Sequence, residues 1–242
     1  MSESPIIETH YGIHILRDDL LVGGTKSILM SSIIKKDIDE YVYASPVYGG
    51  FQIALSAYCQ LNNKKATIFC AKRNIKHKNT LKCESYGAQI IEVPFGYLTV
   101  VEKKAREYCM NKSNVEKIIF GANTIENKIR ISERMKSVIH MLGKEPDEVW
   151  CAIGSGTLIS GILMAVSEKV HVYGVQVGAE FTLDKEYKNV TIIKYPKPFD
   201  YESKLKIDFP STPNYDLKAL EVCLDHTQKN NCTKNVLFWN VL

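Results

Sequence analysis

No run of apolar residues in this sequence approaches the roughly 18–20 that a membrane-spanning helix needs, so a bilayer protein is not expected. Met1–His10 lacks a basic segment followed by an apolar one, the pattern of a secretory signal, and a cytoplasmic chain is expected. Cysteine pairs are missing as well: Cys59, Cys70, Cys83, Cys109, Cys151, Cys223 and Cys232 stand singly, with no Cys-x-x-Cys spacing. An odd, scattered set points to reduced thiols packed as small hydrophobes, and away from disulfides or a zinc site. Among the six histidines only His10 and His14 stand at i, i+4, with Gly12 between them in a segment that reads as β. No metal site is expected from that. Excess charge is small, 31 Lys+Arg against 27 Asp+Glu for a net +4, too little to predict a nucleic-acid footprint. A Gly-x-Ser-x-Gly elbow is absent, which leaves a serine-hydrolase reading without support.

What remains is the composition of a globular protein: 242 residues, 45% hydrophobic and 24% charged. That length suits one large domain or two small lobes and buries about 70% of the unfolded surface. From Tyr41 onward, short apolar runs alternate with helix-like stretches. Tyr41–Ala44, Ala66–Ala71, Ala88–Val93 and Lys117–Phe120 read as strands. Gly50–Leu61, a polar stretch ending at Gly87, and Val100–Asn111 read as the helices between them. A second region follows, with helix Ile129–Leu142 stopped by Gly143 and Pro146, strand Glu148–Ile153, helix Thr157–Val166 and strand Val170–Val177. Asp216–His226 reads as helix and Val236–Asn240 as a last strand. Strands of four to six residues alternating with helices predict βαβ units and parallel sheets. The expected architecture is α/β and two-lobed, with residues 1–35 and 126–242 forming a larger lobe and 36–125 an inserted smaller one.

Four segments have the chemistry of a site. Gly154-Ser155-Gly156-Thr157 follows a strand and opens a helix, so its backbone N–H groups and two hydroxyls suit a phosphate. A tight strand-to-helix turn with a hydroxyl cap is the alternative. It is neither a P-loop, lacking the Lys-Ser/Thr pair, nor a Gly-x-Gly-x-x-Gly fingerprint. Near the start, Arg17-Asp18-Asp19-Leu20-Leu21-Val22-Gly23-Gly24-Thr25-Lys26 sets one lysine after a glycine pair, before Ser27–Ile34, which reads as an apolar helix start. A desolvated lysine is a carbonyl-trapping nucleophile, whereas most lysines merely face solvent. Ser45-Pro46-Val47-Tyr48-Gly49-Gly50 joins a strand to a helix and suits a carboxylate, or a structural turn. Pro213-Asn214-Tyr215-Asp216-Leu217-Lys218-Ala219-Leu220 carries a tyrosine beside a helix start, an acid–base candidate or a packed ring.

Together these segments resemble a family. Arg-Asp-Asp-Leu and Gly-Gly-Thr-Lys look like the lysine segment of fold-type II pyridoxal-phosphate enzymes, the tryptophan synthase β-like family. The similarity is greatest to the branch with 1-aminocyclopropane-1-carboxylate deaminase and D-cysteine desulfhydrase. The order fits too: an early lysine, a serine-led glycine loop about twenty residues later, and a glycine-rich phosphate loop near two-thirds of the chain. Leu81–Ile90 and the Pro-Asn-Tyr-Asp-Leu-Lys-Ala segment add to it. The likeness runs from about residue 8 to the C-terminus.

The resemblance implies a three-layer αβα fold, trimmed because the chain is shorter than typical members. It implies that Lys26 holds pyridoxal 5′-phosphate as a Schiff base and that Gly154, Ser155, Gly156 and Thr157 cradle its phosphate. Ser45, Tyr48, Gly49 and Gly50 would face the substrate carboxylate, Tyr215 would be an acid or base, and Asn240 would stand near the cofactor ring. Val47 departs from the pattern, standing where many relatives carry an asparagine. The implied activity is that of a lyase or deaminase on an amino acid or amino-acid-like small molecule, in a homodimer. Other readings are a nucleotide-linked amino acid as substrate, a phosphoribosyltransferase-like enzyme, or a binding protein that kept the fold. The second wants an acidic pair where Cys151-Ala152-Ile153 stand.

Overall fold

The structure, a computed structural model, describes residues 4–94, 96–119, 123–178, 180–229 and 234–241. Its first elements are β1 (Ile7–His10), β2 (Ile13–Arg17), two 3-10 turns over Asp18–Leu20 and Gly24–Leu29, and α1 (Met30–Ile33). Then come β3 (Glu40–Ala44), α2 (Phe51–Leu61), β4 (Lys65–Ala71), α3 (Lys78–Ser85), β5 (Gln89–Val93), α4 (Leu98–Cys109) and β6 (Val115–Ile118). The rest comprises α5 (Ile125–Leu142), β7 (Glu148–Ile153), α6 (Thr157–Leu163), β8 (His171–Gln176), β9 (Val190–Lys194), α7 (Asp216–Lys229) and β10 (Val236–Asn240).

These elements form two compact units, Met1–Leu20 with Asn123–Leu242, and Leu21–Ala122. The first holds a six-stranded sheet in the order β1-β2-β10-β7-β8-β9, and only β1 runs antiparallel to its neighbour. Tyr11 (φ 55) and Gly12 (φ 78) make the turn between β1 and β2, both in the left-handed region that a tight two-residue hairpin requires. Alternating residues separate the sheet's faces. Trp150, Ala152, Val175 and Phe238 pack with Leu217, Leu220 and Leu224 of α7. On the other face Gly174 lies against Ile153 and against Ile159 of α6, so close that a β carbon there would stand 2.5 Å from the Ile159 Cδ1. Helices on both faces make three layers.

The second unit carries a fully parallel sheet in the order β5-β4-β3-β6. Val42, Ala44 and Phe69 pack against Val101 and Ala105 of α4. The Tyr43 ring meets Phe51 of α2 with centroids 4.7 Å apart.

Several boundaries differ from the sequence reading. Residues 21–35, expected in the larger lobe, belong to the second unit, because the 3-10 turn and α1 lie on α2. The apolar helix start at Ser27 is instead the end of that 3-10 turn, followed by one short turn of α-helix. α5 begins four residues before Ile129 because the Thr124 side chain caps it, accepting from Asn127 N–H at 3.3 Å. β6 lies two residues before the expected Lys117–Phe120, and Phe120 is outside the described residues. α6 stops at Leu163 rather than Val166. β9 was not read from the sequence, since it is a half-exposed edge strand in a polar stretch.

Candidate active site

In the first unit β2, β10, β7, β8 and β9 run parallel, so their carboxyl ends share one edge of the sheet. Open α/β sheets bind ligands at that edge. The loop after β7 lies there. Gly156 has φ +83, and a β carbon on it would overlap the Phe181 ring, 1.8 Å from Cε2. A β carbon on Gly154 would stand 2.8 Å from the Tyr215 hydroxyl. Both positions therefore need glycine, one for conformation and contact, the other for contact alone. Ser155 Oγ and Thr157 Oγ1 are 3.1 Å apart.

Tyr215 is brought to this loop by the turn before α7, where its N–H donates to Thr212 O at 3.0 Å. Its ring packs on the core, and burial, with the nearby Asp216 and Cys151, raises the phenol's pKa despite a hydrogen bond from the Gly154 backbone. The phenol thus keeps its proton at neutral pH. Asn240, at the carboxyl end of β10, is fully buried; it donates to Pro210 O at 2.8 Å and accepts from Ser211 Oγ at 2.9 Å. Its amide thereby braces the segment that leads to Tyr215.

The Arg17-Asp18-Asp19 run frames the end of β2. Arg17 pairs side-on with Asp19 through two bonds of 2.9 Å and also reaches Glu8. Asp18 is fully buried and takes Arg134 Nε at 3.1 Å, Arg134 Nη2 at 2.5 Å and Trp239 Nε1 at 3.0 Å. Arg134 was not singled out from the sequence, because helical periodicity alone does not say which cation turns inward. Lys218 lies three residues beyond Tyr215. It is buried on α7, donates to Pro198 O (2.8 Å) and Phe199 O (3.1 Å), and burial lowers its pKa.

In the second unit Lys26 is half-buried on the 3-10 turn Gly24–Leu29. Gly23 (φ 85) precedes that turn and presses on α2, where a β carbon would stand 2.5 Å from Ala54 Cα. Only glycine permits both the dihedral and the approach. Ser45 is buried at the carboxyl end of β3, its hydroxyl donating to Pro46 O at 2.9 Å. Gly49 closes the loop by donating to Pro46 O at 2.9 Å, and Gly50 caps α2. Tyr48 is exposed on the loop, its ring against His77. Gln52, which the sequence reading passed over, holds this loop: its Nε2 donates to Gly49 O (2.9 Å), Val47 O (3.1 Å) and, more weakly, Pro46 O (3.4 Å). A glutamine on the buried face of an otherwise apolar helix was the available signal.

These residues fit a phosphorylated cofactor. The Gly154–Thr157 loop has the glycines and hydroxyls that a phosphate needs, and its glycine positions have no room for larger side chains. Among the described residues no group of three His, Cys, Asp or Glu is placed to hold a metal ion, and no helix is long and apolar enough to cross a membrane.

The fold defines a class, two-unit α/β proteins with parallel sheets and a glycine-bearing loop between a parallel strand and a helix. A family profile described as pyridoxal-phosphate dependent enzyme matches residues 4–227, and the chain belongs to that family. Its cofactor is pyridoxal phosphate. No curated protein sequence matches it. Solved structures similar to it include an ACC deaminase homologue, at TM-score 0.80 and 16% identity, covering 95% of this chain and 83% of that one. A hydrogen sulfide-producing enzyme from Fusobacterium nucleatum matches at TM-score 0.75 and 14% identity, over 98% and 91% of the two chains. An O-acetylserine dependent cystathionine beta-synthase from Helicobacter pylori matches at TM-score 0.75 and 16% identity, over 99% and 92%. At such identities the likeness is one of fold.

Proposed function

We propose that the chain is a lyase or deaminase acting on an amino acid or a close analogue. Lys26 would hold the cofactor, and Gly154, Ser155, Gly156 and Thr157 would hold its phosphate through backbone N–H groups and hydroxyls. Bound pyridoxal phosphate supplies an electron sink that stabilises negative charge on the substrate carbon next to the amino group. The protein's part is orientation and proton transfer. The loop Ser45–Gly50 receives the substrate carboxylate, and Gln52 keeps it in shape by tying down three of its carbonyls. Tyr215 is the proton donor to the substrate carbon or leaving group in this reading, a role that rests on its place beside Gly154, since burial raises its pKa and makes the phenol hold its proton more tightly. Asn240 serves the site through the 210–211 segment, which its amide grips from both sides. A cytoplasmic setting follows from the scattered, unpaired spacing of the cysteines in the sequence, and a homodimer is the assembly we infer.

The observation that carries this reading is the approach of the Tyr215 hydroxyl to Gly154, which sets an acid–base group beside the phosphate loop. The test is a panel of L- and D-amino acids, each incubated with the cofactor-loaded protein and assayed for released ammonia, sulfide and keto acid. Turnover of at least one member, abolished in Lys26→Ala, is the expected result. A loaded protein that turns over none favours a binding protein.

A further inference from the structure

Charge is unevenly distributed in the second unit. Between Tyr41 and Cys83 there is no Asp or Glu, while Lys64, Lys65, Lys72, Arg73, Lys76, Lys78 and Lys82 all fall there. Four of the seven stand within Lys72–Lys78, the connection that leaves the carboxyl end of β4 and enters α3. β4 pairs in parallel with β3, Ala44 opposite Phe69, so this basic connection and the Ser45–Gly50 loop leave the same edge of the sheet side by side.

The two are also fastened together. Asn79 Nδ2 donates to Tyr48 O at 3.2 Å, and the His77 and Tyr48 rings meet edge to face with centroids 4.8 Å apart. His77 Nδ1 accepts from Asn79 N–H at 3.2 Å, which caps α3 and holds the imidazole in place. The carboxylates that reach this region serve one lysine: Lys76 bonds Glu84 at 2.5 Å, with Glu92 also in its field. Lys72, Arg73 and Lys78 are exposed and form no ion pair among the described residues. His77 lies within their field. Its pKa is lowered by burial first, then by Lys78 and Arg73, with no carboxylate acting on the ring.

A solvated loop needs no such arrangement, and neighbouring cations without counter-charge repel one another. An anion placed between them reverses that cost. The guanidinium fork matches phosphate oxygens in pairs, and two cations suit the charge of about −1.5 to −2 on a phosphate monoester. We propose that the substrate is an amino acid bearing a phosphoryl group, received by Arg73 and Lys78 beside Tyr48 while the Ser45–Gly50 loop takes its carboxylate. This rests on the reading of that loop as the substrate seat.

The test is calorimetric titration of the cofactor-loaded protein at low salt with four probes, the L and D forms of O-phosphoserine and of serine, and with inorganic phosphate. O-Phosphoserine of one hand should bind about two- to thirtyfold tighter than the matching serine, the range of two exposed ion pairs, and added salt should shrink the difference. In Arg73→Ala/Lys78→Ala the preference should vanish while the cofactor's visible absorbance stays, which shows the variant folded. Equal binding of serine and phosphoserine overturns the proposal, as does a preference that survives in the double variant. Phosphoserine binding no tighter than inorganic phosphate leaves a bare anion patch and overturns the seat itself. A single-stranded RNA oligomer that binds through these residues, with no preference for phosphoserine, overturns it in favour of a nucleic-acid surface.

Discussion

The hydroxyl of Tyr215 rests on the α-carbon of Gly154, so near that a β carbon there would stand 2.8 Å from it. A turn before α7, 61 residues beyond Gly154 in the chain, thus delivers a phenol to the loop after β7. Tyr215→Phe should leave cofactor uptake intact and slow turnover by about 10²–10⁴-fold, the usual worth of a positioned proton donor. Single-turnover kinetics on the best amino acid from the panel reads this directly. Equal rates in the two proteins would mean that the ring only packs.

Lys26 follows a glycine pair that has no alternative at Gly23, where dihedral and contact both demand glycine. Borohydride reduction of the cofactor-loaded protein should fix the label on the peptide containing Lys26. Lys26→Ala should take up no reducible label while unfolding normally in urea. Label recovered on another lysine would remove Lys26 from the chemistry.

Gly156 sits at φ +83 with the Phe181 ring where a side chain would go. Gly156→Val should weaken pyridoxal-phosphate binding by about 1–3 kcal/mol, the cost of leaving donors to a charged group unmet. Phe181→Ala alone should cost less, and adding it to Gly156→Val should restore part of the loss by removing the overlap. Affinity for pyridoxal, which lacks the phosphate, should change little. Cofactor titrations of the three variants with both compounds decide the point.

Asp18 and Arg134 form a buried pair whose remaining carboxylate oxygen takes Trp239. Removing one partner leaves the other charged and dry. Arg134→Met should therefore destabilise by about 3–5 kcal/mol, measured by urea unfolding. A loss below 1 kcal/mol would show that the pair is far better solvated than its burial implies.

His10 lies between Glu8 (2.9 Å) and Asp208 (3.1 Å), with the Phe209 ring beside it. Its pKa is raised, by the bond to Glu8 first and by Asp208 as well, while burial opposes. A raised folded-state value means that protonation favours the native state. The contribution is complete below the ordinary histidine value near 6.5 and fades as pH climbs through the folded value. Stability measured against pH should decline over that window in the wild type, and His10→Gln should flatten the decline. An unchanged slope would assign it to other groups.

Much of this was legible in the chain itself. The strand and helix alternation from Tyr41 to Val177 survives element for element with ends moved by up to four residues, since a short apolar run and an amphipathic period can each be read without a partner. The family is legible in the order of its segments, Gly23-Gly24 before Lys26, then Ser45–Gly50, then Gly154–Thr157, and the left-handed dihedrals at Gly23, Gly24 and Gly156 are the part that local backbone chemistry demands. Elements without that local demand were not legible. β9 is a short, half-exposed edge strand (Val190–Lys194) isolated in a mostly polar stretch, and its pairing with β8 places it in the sheet. Residues 21–35 read as part of the larger lobe, and packing on α2 assigns them elsewhere. Partners distant in sequence were decided by tertiary structure alone: Asp18 with Arg134 and Trp239, Tyr215 with Gly154, Gly156 with Phe181. Periodicity can say that a side chain turns inward, but not what it meets there. That depends on which strands lie side by side, and the order β2-β10-β7 joins the chain's two ends through contacts that no local pattern encodes.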